Sequence, residues 1–405
     1  MDSIKNKIIQ IPNYFLPSAL FFILISSAAT NVLIILSVIV SIILCIKNKH
    51  IVWLLENKTF FICIILYLAF CVSSLYSLAQ PDQVFEVLKK YIKFLYIPFL
   101  IYYVRTFDNK DIIIKFFIAG CSIVLFFSYL KYFSIFEFQL FYDILEKLNL
   151  ADVKEKIIIN RTAVFQHYII QGIVLSFYSF MCLYLGVKKQ NIIYYIYSGL
   201  AFFNVLFMND SRTAYILVFC LLLLSLFFIL KNVKFIIGFL LIFIVLIFSQ
   251  FSDNLIDRFK VLNTDINYIA KDNYNSSLGL RFLWAKVGID NLKNKPFFGH
   301  GAGSFKITSE NYYKKNNISS YGKYITNNPH NEFISISSQL GLFGLMLYLG
   351  FILSLYINNK HNILAIGTIF TIIISSIFNS AFYDNMLGLF LAAIICLIHK
   401  NNYKV

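Results

Sequence analysis

The chain has 405 residues, of which 59% are hydrophobic and 14% charged, and its mean hydropathy is +0.73. This composition excludes a soluble globular domain and predicts a membrane protein whose length is divided among helical spans of roughly 20 residues each. The net charge of +15 comes from Lys and Arg residues scattered between apolar runs. Membrane orientation and anionic lipid partners explain that pattern better than a nucleic-acid partner does, so we expect no nucleic acid to bind.

Twelve apolar runs follow one another along the chain, at about 14–29, 31–46, 59–78, 91–104, 112–133, 163–186, 192–208, 213–230, 233–251, 331–357, 362–379 and 385–399. They predict an all-α polytopic membrane protein with about 12 transmembrane helices and one large loop. We predict that residues 1–251 form an N-terminal transmembrane bundle of about nine helices, 252–330 a loop outside the membrane, and 331–405 about three C-terminal transmembrane helices.

Short basic segments between the runs predict the orientation of the bundle. With a cytoplasmic N-terminus, every inside segment is basic: Lys5 and Lys7; Lys47, Lys49 and Lys58; Arg105, Lys110 and Lys115; Lys188 and Lys189; Lys231 and Lys234; Lys360; Lys400 and Lys404. The outside segments are mixed: the turns at 209–212 and 380–384 are nearly free of Lys, whereas Lys89, Lys90 and Lys93 lie outside. We therefore expect both termini in the cytoplasm and the large loop on the outer face.

The loop contains a predicted amphipathic helix that starts near Ser276 or Ser277, either of which can cap it. Its apolar positions recur every three or four residues, at Leu278, Phe282, Ala285, Ile289 and Leu292. Pro296 is expected to end this helix, and the glycines at 299, 301 and 303 predict a turn after it. We expect the segment 307–325 to be a mobile cover.

His330 follows Asn328 and Pro329, residue types that favour the N-cap and the first turn of a helix. The pattern predicts that His330 lies in the first turn of the helix that re-enters the membrane. Free backbone N–H groups at that end disfavour imidazolium, so the ring would be neutral and able to accept a proton. Glu332 or a neighbouring amide would fix its tautomer. The alternative is an interfacial histidine that only hydrogen-bonds at the helix start.

Three arginines are candidates for binding an anionic substrate. Arg212 lies in a tight turn where Asp210 or Ser211 can cap the next helix, and a guanidinium beside a helix N-terminus suits a pyrophosphate. Arg281 lies on the predicted loop helix. For both, the alternative is an arginine that contacts lipid headgroups. Arg161 opens another predicted span on the same side, and its structural and substrate-binding interpretations have equal weight.

The remaining histidines and the cysteines have simpler interpretations. His167 is favoured as a structural residue, and His300 as part of a glycine turn. His50, His361 and His399 lie at span ends, as interfacial residues do. The seven cysteines lie inside apolar runs without a C-x-x-C pair, and no H-E-x-x-H, Asp-x-Asp or nucleotide-binding motif is present. The sequence therefore predicts neither a metal nor a cofactor.

Three segments together resemble the C-terminal signature of the bacterial O-antigen ligase and polymerase superfamily. They are SLGLRFLW at 277–284, PFFGHGAGSF at 296–305 and NNPHNEFISISSQLGLFGL at 327–345. Members of this superfamily carry an essential arginine after a mid-chain span, an arginine on a loop helix and a histidine at the start of the span after the loop. These correspond here to Arg212, Arg281 and His330.

The resemblance implies a metal-independent glycosyltransferase of the bacterial inner membrane. It would transfer a glycan from undecaprenyl pyrophosphate to a sugar hydroxyl of lipid A-core on the periplasmic face, among membrane lipids. His330 and Arg281 would be catalytic, and Arg212, Arg281 and Arg161 would bind substrate. An O-antigen polymerase or a protein O-oligosaccharyltransferase of the same superfamily is the alternative. A lipid-linked sugar transporter fits less well, because the polar residues cluster on one face instead of crossing the membrane midplane.

Overall fold

The computed structural model describes residues 11–50, 57–135, 162–227, 274, 276–318 and 325–398. In these ranges the chain is helical, with turns between the helices. The helices are α1 Phe15–Phe22, α2 Ser27–Lys47, α3 Lys58–Ser73, α4 Pro81–Tyr91, α5 Lys93–Phe107, α6 Lys110–Tyr132, α7 Tyr168–Lys189, α8 Ile192–Phe203, α9 Arg212–Ser225, α10 Ser277–Asn294, α11 Phe305–Lys315, α12 Glu332–Asn359, α13 Ile363–Phe378 and α14 Asn385–Ile398.

Every predicted apolar run within the described ranges contains a helix, and the run at 233–251 lies outside them. Among the described helices, five are long and apolar enough to cross a membrane: α2, α3 with its short extension to Tyr76, α6, α7 and α12. The helices α8, α9, α13 and α14 are apolar but shorter. The all-helical class is therefore confirmed, and about 12 spans with a periplasmic loop stay a prediction.

Polar residues begin many of these apolar helices. Each accepts a hydrogen bond through its side chain from a backbone N–H group of the first turn, which would otherwise lack a partner. Such caps are Ser26, Asn57, Asn191, Ser211, Ser276, Asn331 and Asn362. The apolar sequence supplies the spans, and these short polar side chains fix where the helices start.

The helix α14 lies at the centre of the bundle, because every residue from Met386 to Ile398 is buried. It packs against α5 and α13. The outer helices expose apolar side chains on their surface, whereas a soluble protein buries most of them. On α2, Ile43 is 57% exposed and Ile46 60% exposed, so apolar side chains point outward as well as inward. A helix that is apolar on all sides suits a lipid environment.

The ends of the helices alternate as the predicted orientation requires. At the predicted inner end, His50 Nδ1 lies 3.0 Å from Tyr102 Oη, and Asn358 Nδ2 donates to Thr59 Oγ1 at 3.0 Å. At the other end, Asn331 Nδ2 donates to Ile377 O at 2.8 Å. The alternation agrees with the predicted topology, and the side of the membrane that each end faces stays a prediction.

The two helices of the loop form a small core of their own. Its buried residues are Tyr274, Leu283, Trp284, Val287, Phe305 and Tyr313. The predicted helix with Ser276 as its N-cap is confirmed as α10. The first part of the expected mobile cover is instead the helix α11, and its Tyr313 is fully buried.

The buried face of α10 is not the apolar stripe that predicted the helix. Phe282 and Ile289 of that stripe are 46% and 56% exposed, whereas Leu283 and Val287 are fully buried. The helix α10 carries apolar side chains on two faces, and on each face they recur every three or four residues. Periodicity predicted the helix correctly, and the packing of α10 on α11 and α12 selected the face.

The helix α12 is broken at Gly341, which has φ 65° and ψ −159°. The turn at 296–303 fills the break. Leu342 N donates to Pro296 O at 2.7 Å, Phe343 N donates to Phe297 O at 3.1 Å, and two further bonds run from His300 N to Ser338 O and from Gly301 N to Gln339 O. Backbone groups freed by the break are thereby paired, which an apolar environment requires.

Candidate functional site

Arg212 is the first residue of α9 and lies exposed at the start of that helix. The turn before it is held firmly: Asn209 Nδ2 donates to Tyr168 O at 2.9 Å, and Asn209 Oδ1 accepts from Ser211 N at 2.8 Å. Ser211 Oγ accepts from Ala214 N at 3.2 Å and caps the helix, as predicted. The guanidinium therefore begins at a fixed backbone position beside free N–H groups of a helix.

Close packing of α7 fixes the same turn from the other side. A Cβ atom on Gly172 would lie 2.7 Å from Ala214 Cβ and 3.1 Å from Asn209 Oδ1. Only a glycine lets the two helices approach this closely. The contact places Tyr168, the first residue of α7, in the same region as Arg212.

Arg281 lies in the second turn of α10 and is partly buried. Its helix is held against α12 at Gly288, where a Cβ atom would lie 2.6 Å from Ile334 Cγ2. One turn after Arg281, the Trp284 ring lies 5.4 Å from the His330 ring, measured between centroids. Trp284 therefore places α10, the helix that carries Arg281, in ring contact with His330.

His330 lies before α12 and not in its first turn. The helix is capped by Asn331, whose Oδ1 accepts from Ile334 N at 3.0 Å. His330 has a positive φ of 50°, and its N–H donates to Asn328 Oδ1 at 2.9 Å. The prediction that Asn328 and Pro329 start the helix is therefore wrong, because Asn331 makes the cap and Asn328 makes a tight turn before it.

The three residues are linked by their charges: Arg212 acts on Arg281, and Arg281 acts on His330. Burial lowers the pKa of Arg281, the charge of Arg212 lowers it further, and Tyr168 offsets part of the effect. Burial also lowers the pKa of His330, followed by the charge of Arg281, and the carboxylate of Asp384 opposes both. His330 is exposed on one side, but neighbouring atoms still exclude water from much of its ring. His330 is therefore neutral near neutral pH.

The cause of this neutrality differs from the expected one. The sequence predicted that a helix N-terminus would keep the imidazole neutral, whereas crowding and Arg281 do so in the structure. Glu332 was expected to be able to fix the tautomer. Its buried carboxylate instead accepts from Phe382 N at 3.0 Å. The carboxylate that acts on His330 belongs to Asp384.

Asp384 and Lys93 are parts of the site region that the sequence did not single out. Lys93 is 2% exposed, and its Nζ donates to three backbone oxygens, Lys90 O at 3.0 Å and Phe382 O and Asp384 O at 2.9 Å. Asp384 Oδ1 accepts from Leu387 N at 2.9 Å and so begins α14. Together these bonds hold Asp384 at the end of the bundle that carries His330.

The other predicted residues lie elsewhere or have structural contacts. Arg161 lies outside the described residues. His167 accepts from Ile169 N at 3.4 Å through its Nδ1 and caps α7, as its structural interpretation predicts. His300 lies in the glycine turn, as predicted, and is buried. Among the described residues, no group of three or more His, Cys, Asp or Glu side chains could hold a metal ion.

The arrangement suits an anion that carries more than one negative charge. The charge of Arg212 acts on the Arg281 guanidinium, and neither arginine has a salt bridge to a carboxylate within the described ranges. An anion between them would relieve the repulsion and accept several charged hydrogen bonds. A neutral histidine on the next segment can take a proton from a second reactant.

The protein is helical with apolar segments of membrane-spanning length, and it brings Arg212, Arg281 and His330 close enough for their charges to interact. The family model of Wzy_C, O-antigen ligase, matches residues 197–349, a range that contains Arg212, Arg281 and His330. This match confirms the resemblance to the O-antigen ligase and polymerase superfamily, whose members are glycosyltransferase-like enzymes. No curated protein matches the chain.

Proposed function

We propose that this protein is an O-antigen ligase. It transfers a glycan from undecaprenyl pyrophosphate to a sugar hydroxyl of lipid A-core, on the periplasmic face of the bacterial inner membrane. The observation that carries this proposal is the convergence of Arg212 and Arg281 with a neutral His330. The family implies lipid-linked glycan and lipid acceptor substrates, which supports the choice of reactants.

The reaction needs stabilisation of the leaving pyrophosphate and a base for the acceptor hydroxyl, and the candidate residues are suited to both. The bond from the anomeric carbon to the pyrophosphate oxygen breaks, and the leaving pyrophosphate takes the electron pair. Its negative charge is stabilised by Arg212 and Arg281, whose planar groups can each donate two hydrogen bonds. A leaving group that is already an anion needs this stabilisation more than it needs a proton.

His330 serves the other half of the reaction. The acceptor hydroxyl forms the new bond to the anomeric carbon, and its proton moves to a ring nitrogen of His330. A base works best when it is unprotonated at the operating pH, and the lowered pKa of His330 meets that condition. The electron pairs and the proton therefore balance without a cofactor.

The ligase and the polymerase share this chemistry and differ in the acceptor. A polymerase joins the glycan to a second lipid-linked glycan, whereas a ligase joins it to lipid A-core. The same three residues serve either reaction, so the acceptor must be tested directly. A transporter would not need a proton acceptor beside the pyrophosphate site.

The test uses purified protein in lipid with a polyprenyl-pyrophosphate-linked glycan and one acceptor at a time. We expect glycan on lipid A-core, and no product with the His330→Gln variant. Elongation of the donor in the absence of lipid A-core would identify a polymerase. Glycan crossing sealed vesicles without any acceptor would contradict both enzymes and favour a transporter.

A further inference from the structure

A polar pocket of about 140 Å³ lies on the loop, between the end of α10, the glycine turn and α11. Its lining includes Asp290, Asn291, Asn294, His300, Thr308 and Lys315. Asn294 and Lys315 are exposed, so the pocket opens at the loop surface. None of these six residues belongs to the cluster of Arg212, Arg281 and His330.

The pocket is built by hydrogen bonds among its own walls. Asn291 Nδ2 donates to Thr308 Oγ1 at 2.9 Å, and this bond joins α10 to α11. Asn294 Nδ2 donates to Asp290 Oδ2 at 2.9 Å and holds the carboxylate at the rim. The polar groups are therefore pre-positioned before any ligand arrives.

His300 forms part of the inner wall of the pocket. The residue is 7% exposed, and its Nε2 lies 3.2 Å from Asn291 O. A carbonyl can only accept, so Nε2 carries the proton and Nδ1 of the neutral ring is an acceptor. Nδ1 is buried and has no hydrogen-bond partner in the described part of the chain. Because Nδ1 has almost no accessible surface, the groups that a ligand in the pocket can reach belong to the other lining residues.

The chemistry of the lining favours a sugar ring over a simple ion. The lining supplies both kinds of group: the Asp290 carboxylate accepts hydrogen bonds, and the Lys315 ammonium and the Asn294 amide donate them. A hydroxyl group donates and accepts at once and can satisfy both kinds. The carboxylate disfavours an anion, and the ammonium disfavours a cation. The small volume fits one ring or a few waters.

We infer that this pocket binds one sugar unit of the glycan substrate. The inference rests on the proposed function, and it adds a second binding site to that function. Asn291 lies about 15 Å along the helix axis from Arg281, and it faces a different side of α10. The bound sugar is therefore not the one that reacts. Binding of this non-reacting sugar would help to position the reacting end of the substrate.

The first test measures binding directly and does not require transfer. Saturation-transfer NMR with glucose, galactose and N-acetylglucosamine at millimolar concentration is recorded on the full-length purified protein. We expect a signal from at least one sugar that is lost in the Asn294→Ala and Lys315→Ala variants. Both residues are exposed at the C-terminal ends of their helices, away from the buried core of α10 and α11, so the fold is preserved. Lys314→Ala is the matched control, because Lys314 is the exposed neighbour that does not line the pocket.

The second test uses the transfer reaction. Asn294→Ala and Lys315→Ala should each raise KM for one glycan substrate by about tenfold and leave kcat within about twofold, because they act far from the reacting bond. Lys314→Ala should change neither value. If no sugar gives a signal and KM is unchanged in both variants, the pocket holds only water and the inference is wrong. Wild-type transfer activity decides the proposed function separately.

Discussion

Lys93 and Glu332 hold the same residue from opposite sides. Lys93 Nζ donates to Phe382 O at 2.9 Å, and Glu332 Oε2 accepts from Phe382 N at 3.0 Å. Both side chains are almost fully buried. Phe382 lies in the turn between α13 and α14, so two distant helices fix the segment that carries Asp384.

The Lys93→Met variant should be much less stable than the wild type. It leaves three backbone oxygens without the Lys93 donor, and a buried group left unpaired costs about 1–3 kcal/mol. We expect a clearly lower Tm in detergent. Lys89→Met is the control, because Lys89 is exposed on the preceding helix. Equal Tm values for the two variants would contradict this function of Lys93.

The Arg281→Lys and Arg212→Lys variants should insert normally and lose most transfer activity. An ammonium cannot reproduce the bidentate contact of a guanidinium with a pyrophosphate. A charged hydrogen bond is worth about 1.5–3 kcal/mol, which predicts roughly a tenfold to hundredfold loss of kcat/KM for each variant. Arg105→Lys, far from the site on α5, controls for general effects. Near-normal transfer by both variants would mean that these arginines only contact lipid.

The His330→Gly variant separates a catalytic role from a structural one. The backbone at His330 has φ 50°, which glycine adopts without strain, so the variant should be at least as stable as the wild type. Loss of the general base should still lower kcat by about a hundredfold to ten-thousandfold. Transfer rates are measured beside donor binding. A fully active glycine variant would assign His330 to the turn, and the base would then have to be sought elsewhere, for example at His167.

The pH dependence of kcat/KM should respond to Asp384. The lowered pKa of His330 places the acid limb of the wild type below the ordinary value of 6.5. The Asp384 carboxylate stabilises imidazolium, so Asp384→Asn should lower that pKa further and shift the limb to lower pH. Asparagine still caps α14, which preserves the bond to Leu387 N. A limb that stays in place, or moves to higher pH, would contradict the coupling.

The Gly341→Ala variant should destabilise the break in α12. The residue has φ 65°, and an added Cβ atom would lie 2.4 Å from the carbonyl group of Phe297. With ψ −159°, this positive-φ conformation is essentially restricted to glycine, and it costs about 1–3 kcal/mol for another residue. The control is Gly199→Ala, where nothing lies within 4 Å and alanine favours the helix. We expect Tm to fall for the first variant and to stay or rise for the second.

The sequence predicted the helices well because the apolar runs and their polar caps are local signals. The three candidate residues Arg212, Arg281 and His330 were singled out from short segments, and the structure places them within reach of one another's charges. Two details were not predictable locally. Asn328 and Asn331 are equally suited to cap a helix, and only the backbone conformation of His330 decides between them. Phe282 and Leu283 are similar in character, and only tertiary packing decides which is buried.

The contacts of Lys93 and Asp384 lay beyond local prediction for a different reason. Lys93 and Phe382 are 289 positions apart, and no sequence period connects them. In the sequence Lys93 belonged to a basic segment on the predicted outer face, an exception to the charge pattern. The structure explains the exception, because this lysine is buried and binds backbone oxygens instead of facing water.

The break in α12 also imposes an order on assembly. Ser338 O, Gln339 O, Leu342 N and Phe343 N find their partners only in residues 296–301. While the protein is being made, this helix cannot be completed until the glycine turn of the preceding loop has formed. We expect a chain whose turn cannot form to retain an unsealed α12, so formation of the turn is a condition for maturation of this helix.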